Sequence, residues 1–323
     1  MSRIRCAVVG AGHFGRFHAD KYSRIPDAEL VAVVDRDAER AAAIAGPLGA
    51  RAETSLDAVI GQIDAASVAV PTQGHFDVAR RLLEAGVHVL IEKPITETLE
   101  QADALIALAK SRGLVLQVGH LQRFLLERLD AKRHIDKPLY IEAVRIAPFK
   151  PRGTDVGVVL DLMIHDIDLI LAIVNSPITM IDAVGAPVVT SEEDIVNTRL
   201  RFANGCVATV TASRISFKTE RRLRIFQRQS YVSIDLQARK LVAMRKGHGQ
   251  PWFPGLPPID REEISFEDGD DLLAEIASFV ECVRTGRTPV VTGEDGRRAL
   301  ATAMAIGASL QESLRAAGVT LDA

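Results

Sequence analysis

The chain has 323 residues, 47% hydrophobic and 25% charged, which is length for about two domains of roughly 150 residues and composition unlike that of a disordered polypeptide. Its formal net charge of −3 supplies no cationic field for a polyanion, so nucleic-acid binding is excluded as the expected role. Cys6, Cys206 and Cys282 lie far apart without paired spacing, which argues against a zinc site or a disulfide framework and for a reducing, cytoplasmic setting.

No signal-peptide pattern precedes the first apolar run at 4–9. From there, strand-like segments at 4–9, 30–34, 65–70, 87–91 and 114–118 alternate with helical patterns at 15–24, 38–48, 76–85 and 99–111. Such alternation predicts β-α-β units and a doubly wound parallel sheet. Gly86 and Gly113 stand where helix ends need glycine. After residue 120 the rhythm changes. A helix at 122–135 and a strand at 139–147 lead to an apolar helix at 158–174, whose acids and histidine argue against a membrane span. Alternating runs at 196–202, 206–213, 223–227, 231–236 and 240–244 predict one large, mainly antiparallel sheet. A Gly- and Pro-rich loop at 247–258 holds the single Trp, and helices at 272–285 and 294–316 close the chain. The expected division is a nucleotide-binding domain over 1–120 and an α+β domain for substrate binding and oligomerisation over 121–323. Too few helices follow the second sheet to cover both its faces, which predicts a homo-oligomer, dimer or tetramer.

Gly10-Ala11-Gly12-His13-Phe14-Gly15 fits G-x-G-x-x-G between a strand and a helix, and a second strand ends in Asp35, twenty residues after Gly15. Gly10 permits the tight turn, Gly12 the approach of a pyrophosphate, and Gly15 close packing of helix on strand. The helix N-terminus then offers N–H groups to the phosphates, with His13 and Phe14 as loop cover. Asp35 is placed to accept the adenine ribose hydroxyls and to repel a 2′-phosphate, which favours NAD; Arg36 beside it is the residue that would serve NADP. His18 is expected on the helix surface.

With these residues in place, the chain resembles the glucose–fructose oxidoreductase, inositol dehydrogenase and MocA (Gfo/Idh/MocA) family of NAD(P)-dependent sugar oxidoreductases. Three blocks carry the likeness: Ala69-Val70-Pro71-Thr72-Gln73-Gly74-His75, Gly86-Val87-His88-Val89-Leu90-Ile91-Glu92-Lys93-Pro94, and Asp161-Leu162-Met163-Ile164-His165-Asp166-Ile167-Asp168. Val156-Gly157 stands where the family often has a glycine pair before the third block. The resemblance implies that Pro71, Thr72, His75, Glu92 and Lys93 line the cofactor, with Lys93-Pro94 at its nicotinamide end.

Lys93 ends a strand at the edge where open α/β sheets gather ligands, which suits an orienting or proton-relay role. Asp161, His165 and Asp168 stand at i, i+4 and i+7, on one face of an otherwise apolar helix, an arrangement that is costly unless that face meets a polar cavity. His165 is the natural general base, with Asp161 one turn earlier to orient it; Asp166 points elsewhere and is read as structural. His120 and Arg123 follow the last strand of the first domain and either contact substrate or form a hinge. No histidine shows metal-ligand spacing, and no metal is expected.

Basic residues far outnumber Glu220 and Asp235 between Arg199 and Lys246, and Arg145, Lys150 and Arg152 precede the apolar helix. Most of these suit a solvated face, while a few could grip a substrate phosphate, Arg152 first, then Arg222 and Arg224. Within the family, the length and the run from Val159 to Asp168 look most like the branch that oxidises the 3-hydroxyl of UDP-N-acetylglucosamine on the way to 3-amino sugars of lipid A and surface glycans. The alternatives are an inositol or free-sugar dehydrogenase and a non-catalytic NAD-sensing module.

Overall fold

A computed structural model describes the chain except for residues 1, 152–155, 249–250, 252, 256, 267–268 and 320–323. In chain order the first elements are β1 (Ile4–Val9), α1 (His13–Arg24), β2 (Ala28–Val34), α2 (Ala38–Ala45), β3 (Arg51–Glu53), β4 (Ala65–Val68), α3 (His75–Glu84), β5 (His88–Glu92), α4 (Leu99–Arg112) and β6 (Leu116–Gly119). There follow α5 (Gln122–Arg128), β7 (Pro138–Ile146), a π-helical turn at Val159–Met163 and α6 (Ile164–Val174). Then come β8 (Ile178–Ala186), β9 (Ile195–Phe202), β10 (Val207–Ser213), β11 (Glu220–Gln227), β12 (Ser230–Asp235), β13 (Lys240–Lys246), β14 (Ile259–Ser265), α7 (Asp271–Thr285) and α8 (Gly293–Ala316). Contacts divide these into one unit of Met1–Phe124 with Asp270–Arg297 and another of Leu125–Gly269 with Arg298–Ala323.

In the first unit six parallel strands run in the order β3-β2-β1-β4-β5-β6. This is the doubly wound arrangement expected, with the strand order reversing between β1 and β4, where ligands of such sheets bind. Local chemistry sets the helix ends. Asp37 caps α2 by accepting the Glu39 and Arg40 N–H groups, while Thr98 and Gln101 close a capping box on α4, which ends at the left-handed Gly113. A single boundary at residue 120 does not describe this unit: Asp270–Arg297 returns to it, because Ile276, Phe279 and Val280 of α7 are buried in the same apolar cluster as Val8, Ala19 and Tyr22.

The second unit carries eight strands in the order β14-β13-β12-β11-β7-β10-β9-β8, antiparallel throughout except for the β7–β10 pair. Its inward side chains, among them Ile141, Leu200, Val210, Leu223 and Ile234, share one core with Ile164, Ile167 and Ile170 of α6. On the other face Tyr140, Phe226, Tyr231 and Met244 align across four strands; Phe226 stacks on Tyr140 with ring centroids 5.6 Å apart and meets Tyr231 at a tilt, 4.9 Å away.

The structure adds strands that alternation did not predict. β14 is a charged edge strand, Ile-Asp-Arg-Glu-Glu-Ile-Ser, whose polarity hides its pairing. β8 is half exposed, and its register shifts between Ile178 and Met180. The helix expected over 158–174 begins as a π turn, and the one expected over 122–135 is broken at Asp130, whose φ is +47°. Among the described residues no helix is long and apolar enough to cross a membrane.

Candidate cofactor and active site

Gly10, at φ +103°, turns the chain directly after β1. A Cβ on it would lie 2.5 Å from the Ala69 carbonyl, so only glycine lets β1 and β4 run this close at the point of strand reversal. Gly15 is equally constrained, since its Cβ would overlap the Gly10 carbonyl. Gly12 differs: a Cβ there would meet nothing within 4 Å, so the space before it is open. The N-terminus of α1 begins at that opening with no side-chain cap and no acid in its first turn, which leaves its amides and positive dipole end to an anion. These residues fit a dinucleotide diphosphate.

Asp35, at the end of the neighbouring strand, accepts the Ala11 N–H through Oδ2 at 2.6 Å and the Asp37 N–H through Oδ1 at 2.9 Å. The carboxylate is therefore fixed against the glycine loop. A cavity of about 310 Å³ opens alongside, lined by Gly12, His13, Arg16, Arg40, Ala43 and Ile44. The basic residues at this cavity are Arg16 and Arg40, which the glycine-loop spacing does not point to; Arg36, next to Asp35, is exposed and is not among its lining residues. Phe14 is 49% exposed, and His13 meets Phe14 and Phe17 edge to face.

Lys93 follows β5 and precedes Pro94 through a cis peptide bond. Pro71 and Thr72 follow β4, the neighbouring strand. His75, expected at the cofactor, is 1% exposed and has Nδ1 2.8 Å from the Pro94 carbonyl and Nε2 3.0 Å from the Val70 carbonyl. Its ring braces the two strand-end loops, and burial holds its pKa below the ordinary imidazole value. The Glu92 carboxylate is likewise turned toward the protein, 2.8 Å from Nε2 of His18. That overturns the surface position expected for His18, which is fully buried. His120 is buried at the end of β6, and Arg123 lies 3.7 Å from Asp295 within the same unit.

The second unit holds the other candidates. Asp161 lies in the π turn and His165 in the first turn of α6, both half-buried, while Asp168 is buried one turn on. π turns recur at functional sites because the extra residue re-aims the side chains around it. This one is anchored by Glu193, whose carboxylate accepts the Val159 N–H at 3.2 Å; burial raises the Glu193 pKa. A Cβ on Gly157 would strike that carboxylate at 2.0 Å, so the single glycine of Val156-Gly157 is the one the local packing needs.

Most basic residues considered for a phosphate already have acidic partners. Arg145 is buried in a two-pronged pair with Asp166, at 2.7 and 2.9 Å, so its guanidinium charge is already met by a carboxylate within the second unit. Arg224 contacts Glu142 at 2.6 Å, and Arg222 lies 3.7 Å from Glu220 and 3.8 Å from Asp235. Arg152, the first candidate, lies outside the described residues.

Two family models match the chain. An oxidoreductase family with an NAD-binding Rossmann fold covers residues 4–120, and the GFO/IDH/MocA C-terminal domain covers 141–231. The chain belongs to the Gfo/Idh/MocA oxidoreductase family. This oxidoreductase is 40% identical to the UDP-N-acetylglucosamine 3-dehydrogenase of Acidithiobacillus ferrooxidans over 98% of its own length and 100% of the relative's. A solved structure of that enzyme superposes with a TM-score of 0.91 over the same shares of the two chains. The scyllo-inositol 2-dehydrogenase (NAD(+)) of Bacillus subtilis is 30% identical over 91% of this chain and 90% of its own. The family's first domain binds NAD, in keeping with the glycine loop and Asp35.

Proposed function

We propose that the enzyme oxidises the 3-hydroxyl of UDP-N-acetylglucosamine to a ketone with NAD as the oxidant. The observation that carries this reading is the 40% identity maintained from end to end with an enzyme of that name. Bound NAD supplies the hydride acceptor. His165 takes the hydroxyl proton on its imidazole, the side chain whose ordinary pKa suits proton transfer near neutrality. Asp161 orients that imidazole and stabilises its cation. The Lys93 ammonium holds the substrate oxygen as it becomes a carbonyl, and Asp168 and Arg152 contact the sugar and its diphosphate. The 3-keto product is of the kind that an aminotransferase converts to a 3-amino sugar. A second copy of the chain covers the outer sheet face that bears Tyr140, Phe226 and Tyr231, giving a dimer or tetramer by light scattering.

The test is NADH absorbance with UDP-N-acetylglucosamine, free N-acetylglucosamine and inositols. The nucleotide sugar should react far faster, because binding of its remote diphosphate helps position the reacting carbon. Equal or faster reaction of an inositol supports the relationship to the Bacillus enzyme instead and sinks the UDP-sugar reading. Lys93→Ala and His165→Ala should each lower turnover by about 10²-fold or more, with NAD affinity little changed after His165→Ala.

A further inference from the structure

A buried chain of polar groups runs through the first unit and ends beside Lys93. The Tyr22 hydroxyl lies 2.9 Å from Oγ of Ser67, that Oγ lies 3.0 Å from Nδ1 of His18, and Nε2 of His18 lies 2.8 Å from Oε1 of Glu92. Tyr22, Ser67 and His18 are wholly buried. Hydrogen-bond polarity orders the chain. A carboxylate only accepts, so Nε2 carries the proton; with the imidazole neutral, Nδ1 accepts from Ser67, whose oxygen accepts in turn from Tyr22. Burial pushes the Tyr22 pKa well up, which keeps the phenol a donor. A neutral imidazole satisfies this arrangement with no donor left over.

The far end of the chain is built around the carboxylate. Gly119 pairs with Glu92 across β5 and β6, and a Cβ on Gly119 would lie 3.2 Å from the Glu92 carboxyl carbon and both its oxygens. The strand backbone there does not itself call for glycine, so the missing side chain keeps room for the carboxylate. Oε2 also lies 3.3 Å from the Lys93 backbone N–H. Burial alone would raise the Glu92 pKa, but the hydrogen bond from His18 and the charge of Lys93 hold it lower.

We propose that His18 is a positioning residue: it fixes the Glu92 carboxylate, and through the Lys93 backbone N–H that this carboxylate accepts it sets where Lys93 leaves the carboxyl end of β5. His75, bound to the Pro94 carbonyl, secures the chain on the other side of Lys93. The catalytic consequence rests on the role of Lys93 proposed above, whereas the placement of Lys93 does not.

His18→Asn, His18→Gln and Gly119→Ala test it. Asn places an amide near the Nδ1 position and loses the Glu92 contact, Gln places an N–H near the Nε2 position and keeps it, and Gly119→Ala crowds the carboxylate by a few tenths of an ångström with every polar group retained. In the protein without cofactor, acylation of Lys93 through its free amine, followed by peptide mass spectrometry, should speed up about fivefold in His18→Asn and Gly119→Ala and return toward the original rate in His18→Gln, as expected for a lysine whose backbone anchor is loosened and restored. Unchanged Lys93 reactivity in both His18→Asn and Gly119→Ala overturns the proposal, and if His18→Asn does not fold, Gly119→Ala decides alone. In turnover, His18→Asn should lower kcat about tenfold with little change in KM, and should cost nothing further once Lys93 is alanine, because both changes act on one unit. Normal turnover of Lys93→Ala would refute the role of Lys93 and leave the reactivity result standing. Loss of turnover in Lys93→Ala, with His18→Asn and Gly119→Ala fully active, refutes the positioning role alone.

Discussion

Asp35 accepts the Ala11 and Asp37 N–H groups, and since a carboxylate offers about four acceptor sites, lone pairs are left over, which on our proposal take the ribose hydroxyls of NAD. A 2′-phosphate would bring two anions together at the same place. Arg16 and Arg40, which line the adjoining cavity, could offset that repulsion, but Arg40 already lies 3.1 Å from Asp37. NAD should therefore bind at least about tenfold more tightly than NADP, roughly 1.4 kcal/mol, in a fluorescence titration. Equal affinities would mean that the two arginines have taken over the ribose pocket.

At the scale of elements, α6 is held to its sheet by a charged pair as well as by apolar packing. Arg145 of β7 and Asp166 of α6 are 4% and 0% exposed and meet through two hydrogen bonds. Asp166→Asn removes the compensating charge from a buried guanidinium and should cost about 3–5 kcal/mol, read as a lower urea midpoint, whereas replacing both residues by apolar ones of similar size should cost far less. Neither the pairing nor its register could be read from sequence, because Arg145 and Asp166 are 21 residues apart and meet only when β7 and α6 pack. The glycine loop was legible, since a tight turn and an uncapped helix N-terminus demand particular residues in a fixed order. The inward faces of most of the second sheet were legible too, because alternation records burial directly. His18 was misplaced although a signal existed: Gly15, His18, Ala19 and Tyr22 follow helical spacing and are the buried stripe of α1. Its partners Ser67 and Glu92 lie 49 and 74 residues away, so the stripe could have revealed its burial but not its use.

Across the whole molecule, buried histidines and stabilised carboxylates give stability the same dependence on pH. His75 and His88 in the first unit and His134 in the second are held below the ordinary imidazole pKa, in each case chiefly because burial disfavours the cation. In the unfolded chain these side chains take up protons near pH 6.5, so below that value the unfolded state binds more protons and stability falls as the pH drops toward the folded values. Carboxylates continue the trend at lower pH. The Asp64 pKa is lowered by hydrogen bonding and charge attraction from Arg5. Burial would raise that of Asp194, but the Val188, Val189 and Thr190 N–H groups and the Thr190 hydroxyl outweigh it. Their stabilisation is present above about pH 4, the unfolded carboxylate value, and is lost as the pH falls through the folded values. Glu193, with its raised pKa, has the opposite sign, because leaving it protonated relieves a buried charge. Three histidines and the lowered carboxylates act against that one group. The midpoint of thermal unfolding, followed by circular dichroism at constant ionic strength, should therefore drop from about pH 7.5 to about pH 5 and more steeply toward about pH 4. A midpoint that is flat or rises over the upper part of that range would mean that the histidines accept protons within the folded protein, and the hydrogen-bonded placement of His75 between two carbonyl groups would be the first place to look.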